Sequence, residues 1–94
     1  IKSGLLTLDE RNTIIQLNEE AKKLFPNMKM GFSFQSQLKD ENLSFALNQD
    51  ISTFEVSRIR NGEAQYLEVL VSKIRIQSDT KGTIVLIQDV TDRK

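Results

Sequence analysis

The 94-residue sequence contains no cysteine and no histidine. Without cysteine there is no disulfide, thiolate nucleophile, iron–sulfur cluster or cysteine-ligated zinc. Without histidine, the commonest general base and the commonest haem or transition-metal ligand are missing as well. Thirteen basic residues balance thirteen acidic ones, so no net field draws in nucleic-acid phosphates or an anionic membrane. No apolar run approaches the roughly 20 residues that span a bilayer, and no signal-peptide pattern opens the chain. Neither nucleic acid nor direct membrane insertion is therefore expected. The expected location is the cytoplasm, inside a parent protein that can itself be membrane-anchored. Ile1 in place of an initiating methionine reads as a boundary within a longer sequence.

What is present is enough for one folded unit. At 38% hydrophobic and 28% charged residues the chain is too apolar for a disordered tail. Its length suits a single small domain that buries about two-thirds of its unfolded surface, so the core is thin.

Gly4 to Leu8 is β-prone, Asp9-Glu10-Arg11-Asn12 supplies turn chemistry, and Thr13 to Leu17 is β-prone again, which predicts a hairpin. Asn18 before Glu19, Glu20 and Ala21 places a capping side chain and two carboxylates at a helix N-terminus. Ala21, Leu24 and Phe25 share a face of that helix, and Pro26 helps to end it. Between Asn27 and Gln49 the pairs Phe34/Leu38 and Leu43/Ala46/Leu47 predict short helices. Strand signals return over residues 52–60, an Asn61-Gly62 turn follows, and residues 64–76 are rich in Val, Ile and Tyr. A turn at Asp79-Thr80-Lys81-Gly82 then leads into Thr83 to Ile87. The order β-β-α-α-α-β-β-β predicts an α+β fold, an antiparallel sheet with the helices packed on one face.

These elements and three local signatures together resemble the PAS domain family. Asp89-Val90-Thr91-Asp92-Arg93-Lys94 is similar to the Asp-Ile-Thr-Glu-Arg-Lys sequence that often closes such domains at an output helix. Gly4 to Asp9 followed by Ile14 to Ala21 resembles the family's opening hairpin and first helix, and Tyr66-Leu67-Glu68-Val69 its long fourth strand. Asn12 stands where many members carry glycine, and asparagine tolerates the left-handed backbone required there. The resemblance implies a five-stranded antiparallel sheet cupping the helices. It also implies a sensory and dimerisation module of a sensor histidine kinase, cyclic-dinucleotide enzyme or transcription regulator, covalently joined to an output domain. The expected division is a domain over residues 1–90 and the start of a linker or output helix at 91–94.

Of the family's cofactors, histidine-held haem, a cysteine–flavin adduct and a cysteine-linked chromophore have no attachment point here, so no cofactor is expected. Composition leaves open noncovalent flavin, or haem held by another ligand, with no residue pattern arguing for either.

A ligand pocket, if present, lies between the sheet's inner face and the helices. Alternation turns Leu67, Val69 and Val71 inward, and the match of the closing motif turns Thr83, Val85 and Ile87 the same way. Leu24, Phe34, Leu38 and Leu47 are the helix-side partners. Thr83 is the one polar group on this wall, so a filled core is favoured over a ligand site. On the outer face Tyr66, Leu70, Ile84 and Leu86 are candidates for a dimer interface or a docked flanking helix. Asp89 and Thr91 are candidates for signal transfer: Thr91 can cap a helix that starts there, and the family's residue at Asp89 often anchors the junction. The alternative for residues 91–94 is a frayed terminus.

The third strand has two registers open. A tight Asn61-Gly62 turn points Phe54 and Val56 inward and sets Arg60 opposite Glu63 and Glu55 opposite Glu68; a bulge turns Ser57 and Ile59 inward instead. Arg58, Arg60, Lys73 and Arg75 are a candidate basic anion site, against solvated strand ends. Glu55 and Glu68 are the one carboxylate pair on which an enzyme could be argued, and no catalytic or metal site is expected. The alternative function is a receptor for a small apolar or weakly anionic metabolite.

Overall fold

The computed structural model describes residues 3–77 and 79–93. Ile1 and Lys94, the ends of the expected domain and of the closing motif, lie outside the described residues. The elements are β1 (Gly4–Leu8), β2 (Ile14–Leu17), α1 (Glu19–Leu24), α2 (Phe34–Gln37), α3 (Glu41–Ala46), β3 (Ile51–Arg60), β4 (Glu63–Ile76) and β5 (Asp79–Asp89), closed by a 3₁₀ turn at Thr91–Arg93. The strands form one antiparallel sheet in the order β2-β1-β5-β4-β3. The first and last strands thus pair side by side within it, with a hairpin on each flank; the five-stranded antiparallel sheet is what the resemblance implied.

Local chemistry explains the first half. Asp9 Oδ1 accepts the Arg11 and Thr13 N–H groups at 2.8 and 3.0 Å, and Asn12 takes the left-handed conformation with φ 64°. Asn18 caps α1 by accepting the Ala21 N–H at 2.9 Å, and the same oxygen accepts the Leu5 N–H at 2.9 Å. Its amide donates to the Ser3 carbonyl at 3.0 Å, so one side chain joins the helix start to β1. After α1 the chain runs back along β2, where the Gly31 N–H donates to Ile14 O and the Ile14 N–H to Phe32 O.

The core follows from the alternation of β1, β4 and β5. Leu6, Leu8, Leu67, Val69, Val71, Val85 and Ile87 are fully buried and meet Ala21, Leu24, Phe34, Leu43 and Ala46 from the helices. The third strand takes the tight-turn register. Asn61 and Gly62 both have positive φ, 53° and 79°, the requirement of a two-residue turn that follows the strands' twist. Arg60 pairs with Glu63 and Glu55 with Glu68, and Phe54 and Val56 pack against the core. Ile59 is 73% exposed, so the bulged alternative is not adopted.

The turn expected at Asp79 to Gly82 is displaced. Those residues belong to β5, and the chain reverses around Gln77, which has φ 52°. Ser78 lies outside the described residues. β4 is long enough to offer partners to polar residues that read locally as a turn, and a register shift between Ile74 and Arg75 absorbs the mismatch. Gly82 makes the pairing possible: a Cβ there would sit 2.7 Å from the Leu8 carbonyl oxygen of the adjoining β1.

Candidate functional site

At the end of the sheet near the Asn61-Gly62 turn, the concave face changes from oily to polar. Register sets Arg58 opposite Gln65, one step beyond the row of Val56, Leu67 and Asp89. The parity that buries Phe54, Val56, Val85 and Ile87 therefore brings Arg58, Gln65 and Asp89 to one mouth. Arg58 Nε donates to Gln65 Oε1 at 2.6 Å, and Gln65 Nε2 donates to Asp89 Oδ2 at 2.8 Å. Asp89 Oδ1 accepts the Thr91 N–H at 2.9 Å and the Thr91 hydroxyl at 2.5 Å. Thr91 Oγ1 in turn accepts the Tyr66 N–H at 3.0 Å. A continuous hydrogen-bonded chain thus runs from β3 through β4 to the residues that follow β5.

Its far end rests on α1. The Arg58 guanidinium lies 4.8 Å from the centre of the Phe25 ring, a cation–π contact. Arg60 donates to the Lys23 carbonyl at 2.8 Å, satisfying one of the carbonyls that a helix C-terminus leaves open. The Arg58 pKa is lowered, first by burial and then by repulsion from Arg60, with Asp89 opposing. The Asp89 pKa is lowered by the Thr91 hydroxyl, then by Gln65 and the Thr91 N–H; burial opposes and the Arg58 charge adds to the lowering. Arg58 Nη2 is buried and has no hydrogen-bond partner among the described residues.

The candidate inner-wall residues are shut off from solvent. Leu24, Phe34, Leu38, Leu47, Leu67, Val69, Val71, Thr83, Val85 and Ile87 are all buried. Of five surface clefts of about 260 to 560 Å³, none is lined by any of them. Two clefts flank the polar chain instead. One of about 560 Å³ opens on Gln65, Asp89 and Thr91, and one of about 320 Å³ is lined by Phe25, Pro26, Asn27, Met28, Gln37 and Arg58.

On the outer face Leu70 pairs directly with Leu86, and Ile84 pairs with Ser72 one row on. Leu5, opposite Leu86, extends this apolar band. Tyr66 shares the face but lies beyond the row that carries Glu68, Glu55 and Gln88, so the four candidates do not form one patch.

The candidate basic cluster is not assembled. Arg58 and Arg60 sit at the Asn61-Gly62 end, whereas Lys73 pairs near the start of β3, with its N–H on Asp50 O, and Arg75 Nε donates to Asp50 Oδ1 at 2.9 Å. A long antiparallel hairpin carries residues 58 and 75 to opposite ends, a consequence of strand length that a count of charges misses. Glu55 and Glu68 are cross-strand neighbours on the outer face and line none of the five clefts. The sequence marked Phe25 only as a residue of the apolar helix face and did not mark Gln65 at all. The available signal was inward parity at Arg58 and Gln65 once the tight turn is chosen.

No protein-family model and no curated protein matches the sequence. Solved structures do. The PAS domain of a protein from Colwellia psychrerythraea is 19% identical, with a TM-score of 0.69 over 97% of this chain and 88% of that one. The PAS domain of the histidine kinase ThkA is 20% identical, with a TM-score of 0.71 over 95% and 100%. The PAS domain of nitrogen regulation protein NR(II) from Vibrio parahaemolyticus is 23% identical, with a TM-score of 0.59 over 94% and 89%. The chain has the PAS fold.

Proposed function

We propose that this chain is a non-catalytic signal-input module of a larger, cytoplasmic or membrane-anchored signalling protein, with a sensor histidine kinase the first expectation for the parent. In this reading two copies pair through the outer face, and a conformational change passes to an output helix that begins near Thr91 and leads to a covalently linked output domain. Similarity to PAS domains of a histidine kinase and of a nitrogen regulation protein supports the class. The observation that carries the mechanism is the side-chain path from Arg58 through Gln65 to Asp89 and Thr91, since it couples the helix side of the sheet to the point where the chain leaves it. Such coupling needs only two arrangements of the path with different preferences for the output geometry. No helix among the described residues is long and apolar enough to cross a membrane.

Sedimentation of a chain extended past Lys94 tests the pairing. Self-association that weakens on Leu70→Glu or Leu86→Glu is the expected result, and a monomer indifferent to both substitutions overturns it.

A second reading, a receptor for a small apolar or weakly anionic molecule, is favoured by the cleft beside Phe25 and Arg58. Native mass spectrometry of freshly purified protein tests it through retained mass.

A further inference from the structure

The sheet has two edge strands, β2 and β3, and the chain treats them differently. Along β2 the Gly31 and Phe34 N–H groups donate to the Ile14 and Asn12 carbonyls, and the Ile14 N–H donates to Phe32 O, so the segment after α1 takes up that edge. β3 runs from Ile51 to Arg60 with no proline, no lysine and no register shift against β4. The Lys73 N–H donates to the Asp50 carbonyl at 2.8 Å, and Arg60 pairs with Glu63 across the tight turn. The even-numbered residues of β3 therefore bond to β4, and the odd-numbered ones turn their backbone groups away from it. Among the described residues no other element bonds the backbone of Ile51, Thr53, Ser57 or Ile59. Such an edge is a template for a further strand unless it is guarded. Its odd-numbered side chains are exposed, Ile51 by 65% and Ile59 by 73%. The charges on the other face of β3 leave the edge open, because Arg58 lies over Phe25 and Arg60 is held by the Lys23 carbonyl.

We propose that the β3 edge pairs antiparallel with β3 of a second copy about a two-fold axis at Val56, making one continuous sheet from two chains. A two-fold axis demands a strand complementary to itself, and backbone bonding sets odd residues opposite odd ones. Two registers give the longest overlap, residues 52–60 about Val56 and residues 51–59 about Glu55. The second sets Glu55 directly opposite its own copy, a like-charge pair in the row that already carries Glu68. The ion pair that could offset this, Asp50 with Arg60, is engaged elsewhere, since Asp50 accepts from Arg75 and Arg60 donates to Lys23 O. The first register sets Glu55 opposite the Ser57 hydroxyl of the second copy and Ile59 opposite Thr53. Ile51 of the second copy then stands diagonal to Ile59, so the two large exposed side chains cover each other. This interface goes beyond the pairing through Leu70 and Leu86 and does not depend on it.

Sedimentation equilibrium of the chain tests the proposal, in wild type and in a Leu70→Glu background that removes pairing through the outer face. A dimer that persists in that background is expected. Ser57→Pro removes an outward N–H that the ladder with β4 does not use, and it should weaken the dimer by roughly tenfold or more. Ile59→Lys, a charge at an exposed edge position, guards against misfolding of the proline variant and should weaken the dimer severalfold. The chain has no cysteine, so Val56→Cys reads the register. Opposed copies of residue 56 form a non-hydrogen-bonded pair with Cα atoms about 4.5 Å apart, within disulfide range, and mild oxidation should give a covalent dimer. A dimer undiminished by both Ser57→Pro and Ile59→Lys would overturn the edge, and a dimer that Val56→Cys does not cross-link would overturn the axis at Val56. A Leu70→Glu chain that stays monomeric at every concentration would overturn the second copy as the occupant and leave the edge to an extended segment of another protein.

Discussion

The hydroxyl of Thr91 accepts the backbone N–H of Tyr66 at 3.0 Å, fastening the residue that follows β5 and Val90 to the neighbouring strand. The adjacent Val90 N–H donates to the Tyr66 carbonyl at 2.8 Å, so both backbone groups of Tyr66 hold the exit. Thr91→Val keeps the shape and removes both the acceptor for the Tyr66 N–H and the hydroxyl that donates to Asp89. A loss of about 1 to 2 kcal/mol is expected in urea denaturation. Hydrogen exchange at the Tyr66 amide should accelerate more than at Val90; equal acceleration would mean that the whole exit had frayed.

The pH dependence of stability at this exit follows from Asp89. Its pKa is lowered below the ordinary 3.8 by the Thr91 and Gln65 bonds. A carboxyl group with a depressed folded-state pKa contributes stability that is present above the unfolded value and lost as the pH falls through the folded one. Asp89 is exposed, so the effect is modest and screened. In Asp89→Asn one acceptor oxygen remains where two served Thr91 and Gln65. The variant should be the less stable protein at neutral pH, with the gap to wild type closing below about pH 4. A gap that stays constant into acid would disprove the electrostatic part of the account.

Asn18 serves the α1 cap and β1 at once. Asn18→Ala should cost about 2 kcal/mol, at the upper end for a helix cap because Leu5 and Ser3 also lose a partner. Asn18→Asp keeps the acceptor and loses only the bond to the Ser3 carbonyl, so thermal melts should place it between alanine and wild type.

Two glycines separate crowding from backbone strain. At Gly82 a Cβ would stand 2.7 Å from the Leu8 carbonyl oxygen, and Gly82→Ala should cost about 2 to 3 kcal/mol by forcing β1 and β5 apart. At Gly62 nothing lies within 4 Å and only the positive φ of 79° is at stake, so Gly62→Ala should cost about 1 kcal/mol. Denaturant midpoints in the reverse order would refute the close approach of β1 and β5.

Much of the sheet was legible because its signals are local. Alternation over Leu67, Val69 and Val71 identified a buried face, and Asn61-Gly62 offered the two-residue turn that decides the register of β3. The beginning of β5 was illegible for the opposite reason: Asp79 to Gly82 carry turn residues, and pairing with distant β4 overrides that preference. The same distinction applies at the site. Arg58, Arg60, Lys73 and Arg75 look alike in sequence, yet only Arg58 faces both Phe25 and Gln65. The outer candidates divided likewise, Leu70, Ile84 and Leu86 adjoining while Tyr66 is set apart by the row of Glu68 and Glu55.

By itself the sequence determined the order of elements, the antiparallel α+β fold, the cap at Asn18 and the inward set of aliphatic side chains, because period, capping and turn chemistry act over a few residues. Only the tertiary structure decided that Phe25, Arg58, Gln65, Asp89 and Thr91 form one path, and that a cleft opens beside Phe25 and Arg58 while the inner-wall residues are buried. Those outcomes depend on where five strands run out of apolar partners at one end of a curved sheet, and contacts between residues far apart in the chain are set by strand length and register.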